Sequence, residues 1–529
     1  MANPSLQIGN NNWAIKEDNL LGYSTAGTRF VPQPITMTRA SAGTRVNSSG
    51  LVETVELLGS ELVDCGNFEC ASPESVWGTG TGWSIANGIA SYDGSGGTQS
   101  VNQAGVVESS KTYKLTLDVV SNEGSGINTI YLGGVIVSNI HLEVGNYIFF
   151  VTTSSTASLA VFGRSGEKFV IDNISVKEST KNNLARVDYT DGTSSLLVEP
   201  LRTNLVTYSE DFSQWGNTQV TIEPNATTSP DGTLNASRIT PTTTSSVHLI
   251  STSGSTTMAI SIYAKSNGYH RFRFNSGSSG NGYASFDLNA GTVLNSGGTY
   301  YTSSSIDSVG NGWYRCTLVL TSGVASVTTL AIEDNSGNVS FIGDGTSAIY
   351  TWGGQSEVGS YATSYIKTSG GTVTRVQETY EKTGISDLIN SEEGVLFFEM
   401  AALSDDGTLR CITLSDGGIT NRVLIIYDTQ SNSIRAVVVS NAGTSFDELH
   451  TVTSTLDFHK IAIKWKLNDF ALWIDGVEVA TDTSGAAPIG LDRIVFDVGN
   501  GTYDFYGKVK QLQIYKTALT DSELATLTT

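Results

Sequence analysis

Cysteine, histidine, proline and basic charge are all in short supply in this chain, and each shortage closes off a class of protein. Four cysteines, Cys65, Cys70, Cys316 and Cys411, are too few and too scattered for a disulfide scaffold or a paired zinc motif. Cys65 and Cys70 are near enough to bridge, although the reduced form is the expectation. Lys and Arg number 30 against 51 Asp and Glu, a formal charge of −21. Such a surplus of carboxylate argues against a nucleic-acid partner, whose phosphates need clustered Lys and Arg, and mainly implies solubility. The five histidines, His141, His248, His270, His450 and His459, sit in no Gly-x-Ser-x-Gly or Cys-His context that would activate a nucleophile. No apolar run approaches the roughly 18 residues of a membrane span. The first residues, MANPSLQIGNNNW, carry no basic segment followed by an apolar one, so no secretory signal is expected.

Glycine, in contrast, is abundant: 56 residues against nine prolines in a chain of 529, with Ser, Thr and Asn throughout. That balance favours many short strands joined by tight turns over long helices. The length suggests roughly three or four domains of about 150 residues. The fold class expected is all-β, as successive β-sandwiches.

Residues 1–56 are polar with short apolar runs and read as an N-terminal arm. From 57 to 179 the pattern is one of strands: KTYKLTLDVV places Tyr113, Leu115, Leu117 and Val119 on one face, the period-2 signature of a half-buried strand. EKFVIDNISVKE closes this unit with Val170, Asp172, Ile174 and Val176 expected on a common face. Short strands at near-regular spacing indicate a sandwich of the jelly-roll kind. Residues 180–206 are connective. A second strand-rich unit covers 207–368, where Tyr314, Cys316, Leu318 and Leu320 share a face. Its order of an acidic-aromatic opening, Gly/Ser-rich middle and closing strand repeats that of the first unit. Residues 369–382 form a linker, and 383–529 hold the last unit. There Asp475-Gly476 predicts a type I′ hairpin, and Thr520 with Glu523 predicts a capping box on one short helix.

A series of segments, GNNNWAIKEDNLLGY, TRASAGTRVNSSGLVETV, LLVEPLRTNLVTYSEDFSQW, GNGWYRC and YTWGGQSEVGSYATSYIKTSGGTVTR, resembles that of bacteriophage fibre and head-spike proteins with carbohydrate-binding-like jelly rolls. The 57–179 unit, from SELVDCGNFE to IDNISVKE, resembles a carbohydrate-binding module inserted between GLVETV and NLARVDY. HKIAIKWKLNDFALWIDGVEVA and YGKVKQLQIYKTALTDSELATL resemble a concanavalin-like or laminin-G-like sandwich. The resemblance implies two jelly rolls and one concanavalin-like sandwich after a docking arm. It further implies a trimeric virion subunit, assembled in the bacterial cytoplasm, whose arm binds other virion proteins and whose sandwiches adhere to host-surface glycans. No membrane insertion and no catalysis are expected. The competing readings are a bracing protein that binds no sugar and a polysaccharide depolymerase.

Sugar binding needs an exposed aromatic face flanked by groups that bond hydroxyls. In the first module the candidates are Trp77, Trp83, Tyr92 and Asp93; in the second they are Trp215, Tyr269, His270 and Arg271, with Arg273 beside them. If Trp77, Trp83 and Tyr269 are all buried, these candidates lose most of their weight. Trp313, Trp352, Trp465 and Trp473 sit in alternating strands and read as core. No cofactor is expected; the one metal weighed is a structural Ca²⁺ on the loop Glu333 to Asn338, whose Asx residues suit a turn equally. Hydrolysis would need paired carboxylates about 5 Å apart. The nearest acids, Asp405, Asp406 and the isolated Asp504, form no such run. In EPLRTNLVTYSEDFSQW, Arg202 and Asn204 are expected to bond backbone at a joint, with Glu199, Glu210 and Asp211 solvated.

Overall fold

A computed structural model describes residues 2–10, 14–16, 19–26, 29–124, 126–253, 259–276, 281–321, 327–441 and 443–529, and between 14 and 33 it describes the backbone. The chain is all-β and built of β-sandwiches. Among the described residues one α-helix, Asp521–Thr528, closes it, started by the reciprocal Thr520/Glu523 capping box. Among those residues no helix is long and apolar enough to cross a membrane. Two compact units divide the chain, Glu56–Lys181 and the remainder.

The Glu56–Lys181 unit is a two-sheet sandwich. One sheet runs in the order Gly145–Thr152, Thr112–Glu123, Lys168–Thr180, Ile89–Tyr92, Trp83–Ala86, with Leu57–Glu61 also on Lys168–Thr180. The other runs Val135–Ile140, Asn128–Leu132, Leu159–Gly163, Gln99–Gln103, Gly78–Thr79. Tyr113, Leu115, Leu117 and Val119 do alternate into the core. Lys168–Thr180 departs from its expected single face: Phe169 and Ile171 point inward, then Ile174 and Val176 do. A shift of register opposite Thr116 and Asp118, with Asn173 at φ 49°, inserts an extra residue and resets the phase. Cys65 and Cys70 are joined by a disulfide, not reduced. The five-residue separation lets the turn between them close, and Gly66 in that turn lies so near the Ile174 carbonyl that a Cβ would collide with it.

In the other unit, the strands from Gly216–Thr218 to Ala348–Glu357 form a second sandwich of a seven-stranded and a six-stranded sheet. Its core holds Phe272, Phe274, Phe286, Cys316, Leu318 and Leu320. The third sandwich forms one hydrogen-bonded system closed on itself. Asp475 and Gly476 both have positive φ, 49° and 84°, as a type I′ turn requires. The segment 1–56 is not the separate arm its composition suggests. Leu6–Gly9 pairs with Gly507–Tyr515 and Arg29–Thr38 with Thr379–Lys382. Leu6, Ile8, Ile35 and Met37 share one core with Phe398, Trp465 and Leu512. Strand edges and apolar rows as short as these are satisfied only by a neighbouring sheet. The expected docking role therefore loses its free-standing element. Arg186–Asp188 and Ser195–Val198, within the expected connector, join the same system.

Where these segments meet the second sandwich, five charged side chains are buried together. Arg186 donates from Nε to Glu378 Oε1 at 2.8 Å and from Nη2 to Oε2 at 2.5 Å. Its Nη1 reaches Glu199 at 2.6 Å, and Arg375 Nη1 reaches the same carboxylate at 2.9 Å. Arg39 pairs with Glu378. Ser364 caps Glu199 through its backbone N–H and hydroxyl, at 2.8 and 2.7 Å. Glu199, expected in solvent, is thus buried, because two guanidinium groups accompany it inward. Asn204 does bond backbone as expected, donating to the Gly354 and Ile366 carbonyls. Asp211 caps a short 3-10 turn through Ser213, and Glu210 pairs with Lys367 at 2.7 Å.

Candidate functional site

The loop aromatics expected to bind sugar are core residues. Trp77 is 2 % exposed, Trp83 7 % and Tyr269 8 %, so none offers a free ring face. Each tryptophan satisfies its indole N–H internally: Trp77 donates to the Cys65 carbonyl at 3.0 Å and Trp83 to that of Gln99 at 2.9 Å. Tyr92 packs on Trp83 with ring centroids 5.4 Å apart and donates to the Gly97 carbonyl. Asp93 is a turn residue; hydrogen bonds from the Ser95 hydroxyl and backbone N–H hold its carboxyl below the usual range. Trp215 packs on Phe212 with the rings tilted at 51° and donates to the Tyr208 carbonyl at 2.8 Å, so it opens the core of the second sandwich. The physical reason is common to Trp77, Trp83, Tyr92 and Trp215: an aromatic with one polar atom is stably buried wherever a backbone carbonyl accepts that atom's proton.

His270 and Arg271 are brought together, but around Asp287, at 3.7 and 3.4 Å. Burial by itself would raise the Asp287 carboxyl. N–H groups of Ala290 and Asn289, with the charges of His270 and Arg271, hold it below its ordinary value. Arg273 is occupied by Glu333 at 2.9 Å. The Glu333 to Asn338 loop is an Asx turn in which Asp334 accepts from the Ser336 and Asn338 backbones at 2.9 and 2.8 Å. Among the described residues no three His, Cys, Asp or Glu side chains converge on a metal position. Asp405 and Asp406 are tied into turns by Ser431, Asn432 and Arg410.

A different face carries the features a sugar needs. On the outer side of the five-stranded sheet of the Glu56–Lys181 unit, Thr129 lies opposite Phe162, and Tyr131 opposite Ala160. The next strand sets Ser100 beside Phe162 and Asn102 beside Ala160. Alternation explains the placement. Ile130, Leu132, Leu159 and Val161 point into the core, so Thr129, Tyr131, Ala160 and Phe162 point out. Tyr131 and Phe162 meet edge-to-face with centroids 5.6 Å apart, both half-buried. They line a hollow of about 340 Å³ with Thr98, Gly134, Ala157, Ser158 and Arg164. Arg164 crosses to Thr129, donating from Nη2 to the hydroxyl at 3.1 Å. Small residues at 134, 157, 158 and 160 leave the depth, the ring pair forms an apolar wall, and hydroxyl and guanidinium groups rim it. A pyranose offers the complement, C–H groups on one face and hydroxyls at the edge.

The sequence does carry a signal for this face, in phase: Tyr131 and Phe162 fall at alternate positions to Ile130, Leu132 and Val161. Apolar neighbours on both sides hide it, because Ile130-Tyr131-Leu132 reads as an uninterrupted apolar run.

No protein-family profile and no curated protein matches the chain. Among solved structures the chain is similar to a carbohydrate-binding module, the Ruminococcus gnavus IT-sialidase CBM40 bound to alpha2,3 sialyllactose. The match has 15% identity over 26% of this chain and 84% of that one, with a TM-score of 0.23. It is also similar to the leech intramolecular trans-sialidase complexed with 2,7-anhydro-Neu5Ac, at 17% identity over 26% and 23% with a TM-score of 0.23. A third likeness is to domain 4 of AbnA, a GH43 extracellular arabinanase from Geobacillus stearothermophilus in complex with arabinotriose, at 14% identity over 30% and 77% with a TM-score of 0.25. These are likenesses of β-sandwich fold.

Proposed function

We propose that the chain is a non-catalytic adhesion protein that binds glycan through the outer face of the Glu56–Lys181 sandwich. The observation that carries this reading is the half-buried Tyr131–Phe162 pair standing in a hollow rimmed by Thr129, Ser158 and Arg164. The resemblance of the sequence to phage fibre and head-spike proteins supports a place on a virion surface, among several copies of the chain. There a weak single site suffices, since linked copies raise avidity without new contacts. The carbohydrate-binding modules among its structural neighbours are consistent with that role and add nothing to its specificity.

The test is binding of the full chain to a panel of immobilised glycans, with Tyr131→Ala and Phe162→Ala as variants. Each substitution is expected to weaken retention about tenfold, on the scale of one lost stacking contact with its buried area. Retention unchanged in both variants removes the face from the reading. The bracing alternative gains from the burial of Trp77, Trp83 and Tyr269, and a wild-type chain that retains no glycan at all decides in its favour.

A further inference from the structure

We infer that the hollow selects acidic sugars, with Arg164 receiving the carboxylate of a sialic or hexuronic acid residue. The inference rests on the glycan-binding reading above and narrows it to a ligand class.

Arg164 is the one charged residue lining the hollow. Most buried or half-buried arginines of this chain are matched by a carboxylate: Arg186 and Arg375 by Glu199, Arg273 by Glu333, Arg410 by Asp406. Arg164 forms no such pair among the described residues. Nη2 is held by Thr129, and Nε is buried without a hydrogen-bond partner. The carboxylate nearest in sequence, buried Glu167, forms no ion pair with Arg164 among the described residues and packs so closely on Gly126 that a Cβ there would overlap its Oε1; both its oxygens are buried without a hydrogen-bond partner among those residues. A buried N–H is ordinarily satisfied, and leaving one without a partner costs stability. A guanidinium presents its N–H groups as a planar fork that fits a carboxylate through two parallel hydrogen bonds. A neutral hydroxyl meets only one of them. Thr129 fixes the fork at the margin of the aromatic wall, so a sugar ring lying on Tyr131 and Phe162 places an equatorial or anomeric carboxylate within its reach. In a chain of formal charge −21, a guanidinium at a ring-sized hollow also sorts ligands by local charge against the overall field.

The experiment is calorimetric titration of the full chain with matched pairs, 3′-sialyllactose against lactose and trigalacturonate against its methyl ester. The acidic member of at least one pair is expected to bind about tenfold tighter, the scale of one charge-assisted hydrogen bond, and to weaken as salt is raised. Which pair shows the difference distinguishes sialic from hexuronic acid. Arg164→Gln is expected to remove the preference of the acidic over the neutral member, and Arg164→Lys, which keeps charge without the fork, to retain part of it. A melting transition equal to that of the wild type certifies both variants. If neutral and acidic members bind alike and Arg164→Gln changes neither, the acidic preference is overturned and the glycan-binding reading stands. If no sugar of either kind binds, both fall.

Discussion

Arg186 holds Glu378 through two parallel hydrogen bonds, at 2.8 and 2.5 Å, with neither side chain exposed to solvent. The pair joins two stretches that composition presents as mere connectors, and Glu199, Arg375 and Arg39 complete it. Ion pairs taken out of water carry a desolvation cost that only near-complete hydrogen bonding offsets. Here the carboxylates are met by three guanidinium groups, a serine and a backbone N–H, the last from Glu199 to Glu378 at 3.0 Å.

Removing one member therefore strands the others. Glu378→Gln or Arg186→Met is expected to destabilise the unit by about 3–5 kcal/mol, because an uncompensated buried charge remains. Urea unfolding followed by tryptophan fluorescence checks this. Replacing Arg186 and Glu378 together is expected to cost less than the sum of the single changes, since the pair is directly coupled.

Acid is expected to act through the same carboxylates. Burial alone would raise Glu199, but Arg375 and Arg186 hold it well below the ordinary 4.5. Burial likewise opposes, and Arg186 and Arg39 outweigh it, at Glu378. A carboxyl whose folded value is depressed contributes stability that is fully present above its unfolded value and is lost as pH falls toward the folded one. The melting temperature is therefore expected to stay level down to about pH 4.5 and to decline below it. In Glu199→Gln the decline is shallower, since one of the titrating groups is gone. A wild-type melting temperature that rises on acidification contradicts this account.

Local periodicity makes the sandwich strands legible, because a half-buried strand must alternate: Tyr113 to Val119 and the Asp475-Gly476 turn are found as read. Pairing over long separations is not encoded in any window. Nothing near Leu6 indicates that Ile514 is its partner, so the first residues pass for an arm. The buried Glu199 fails for the same reason: its countercharges stand 13 and 176 residues away, at Arg186 and Arg375. Candidate site residues fail differently. Tryptophan is informative about area and silent about direction, and the indoles of Trp77, Trp83 and Trp215 each found a carbonyl inside the fold. Tyr131 and Phe162 were hidden by apolar neighbours, and the Asn173 bulge by a strand pattern that looks unbroken.

Thiol chemistry separates the disulfide from the core cysteines. Cys316 and Cys411 are buried, and burial pushes the Cys411 thiol up to about 12 and Cys316 well above its ordinary value. Neither is expected to react with a thiol reagent in the native chain, while denaturation without reductant exposes two reactive thiols and denaturation with reductant exposes four. Cys65→Ser with Cys70→Ser is expected to destabilise the Glu56–Lys181 unit by about 2 kcal/mol, the chain-entropy value for so short a loop.

The Glu56–Lys181 unit is expected to be removable. Its host closes around the point of insertion without it: Asn183 donates its backbone N–H to Arg39 at 2.8 Å, Val55 to Gly43 at 2.9 Å, and Tyr189 to Val46 at 3.0 Å. Each unit also has its own core, since the cluster around Trp77, Tyr113 and Phe169 draws only on residues of the insert. Replacing residues 56–181 by about six Gly and Ser residues costs little loop entropy. The shortened chain is expected to keep the acid-sensitive unfolding transition that the Arg186–Glu378 pair governs, and to lose glycan binding altogether. Circular dichroism melts across pH read the first outcome and the immobilised-glycan panel the second. Glycan retention in the shortened chain would move the binding site to the second or third sandwich, where Arg271 and Arg273 are already engaged by Asp287 and Glu333.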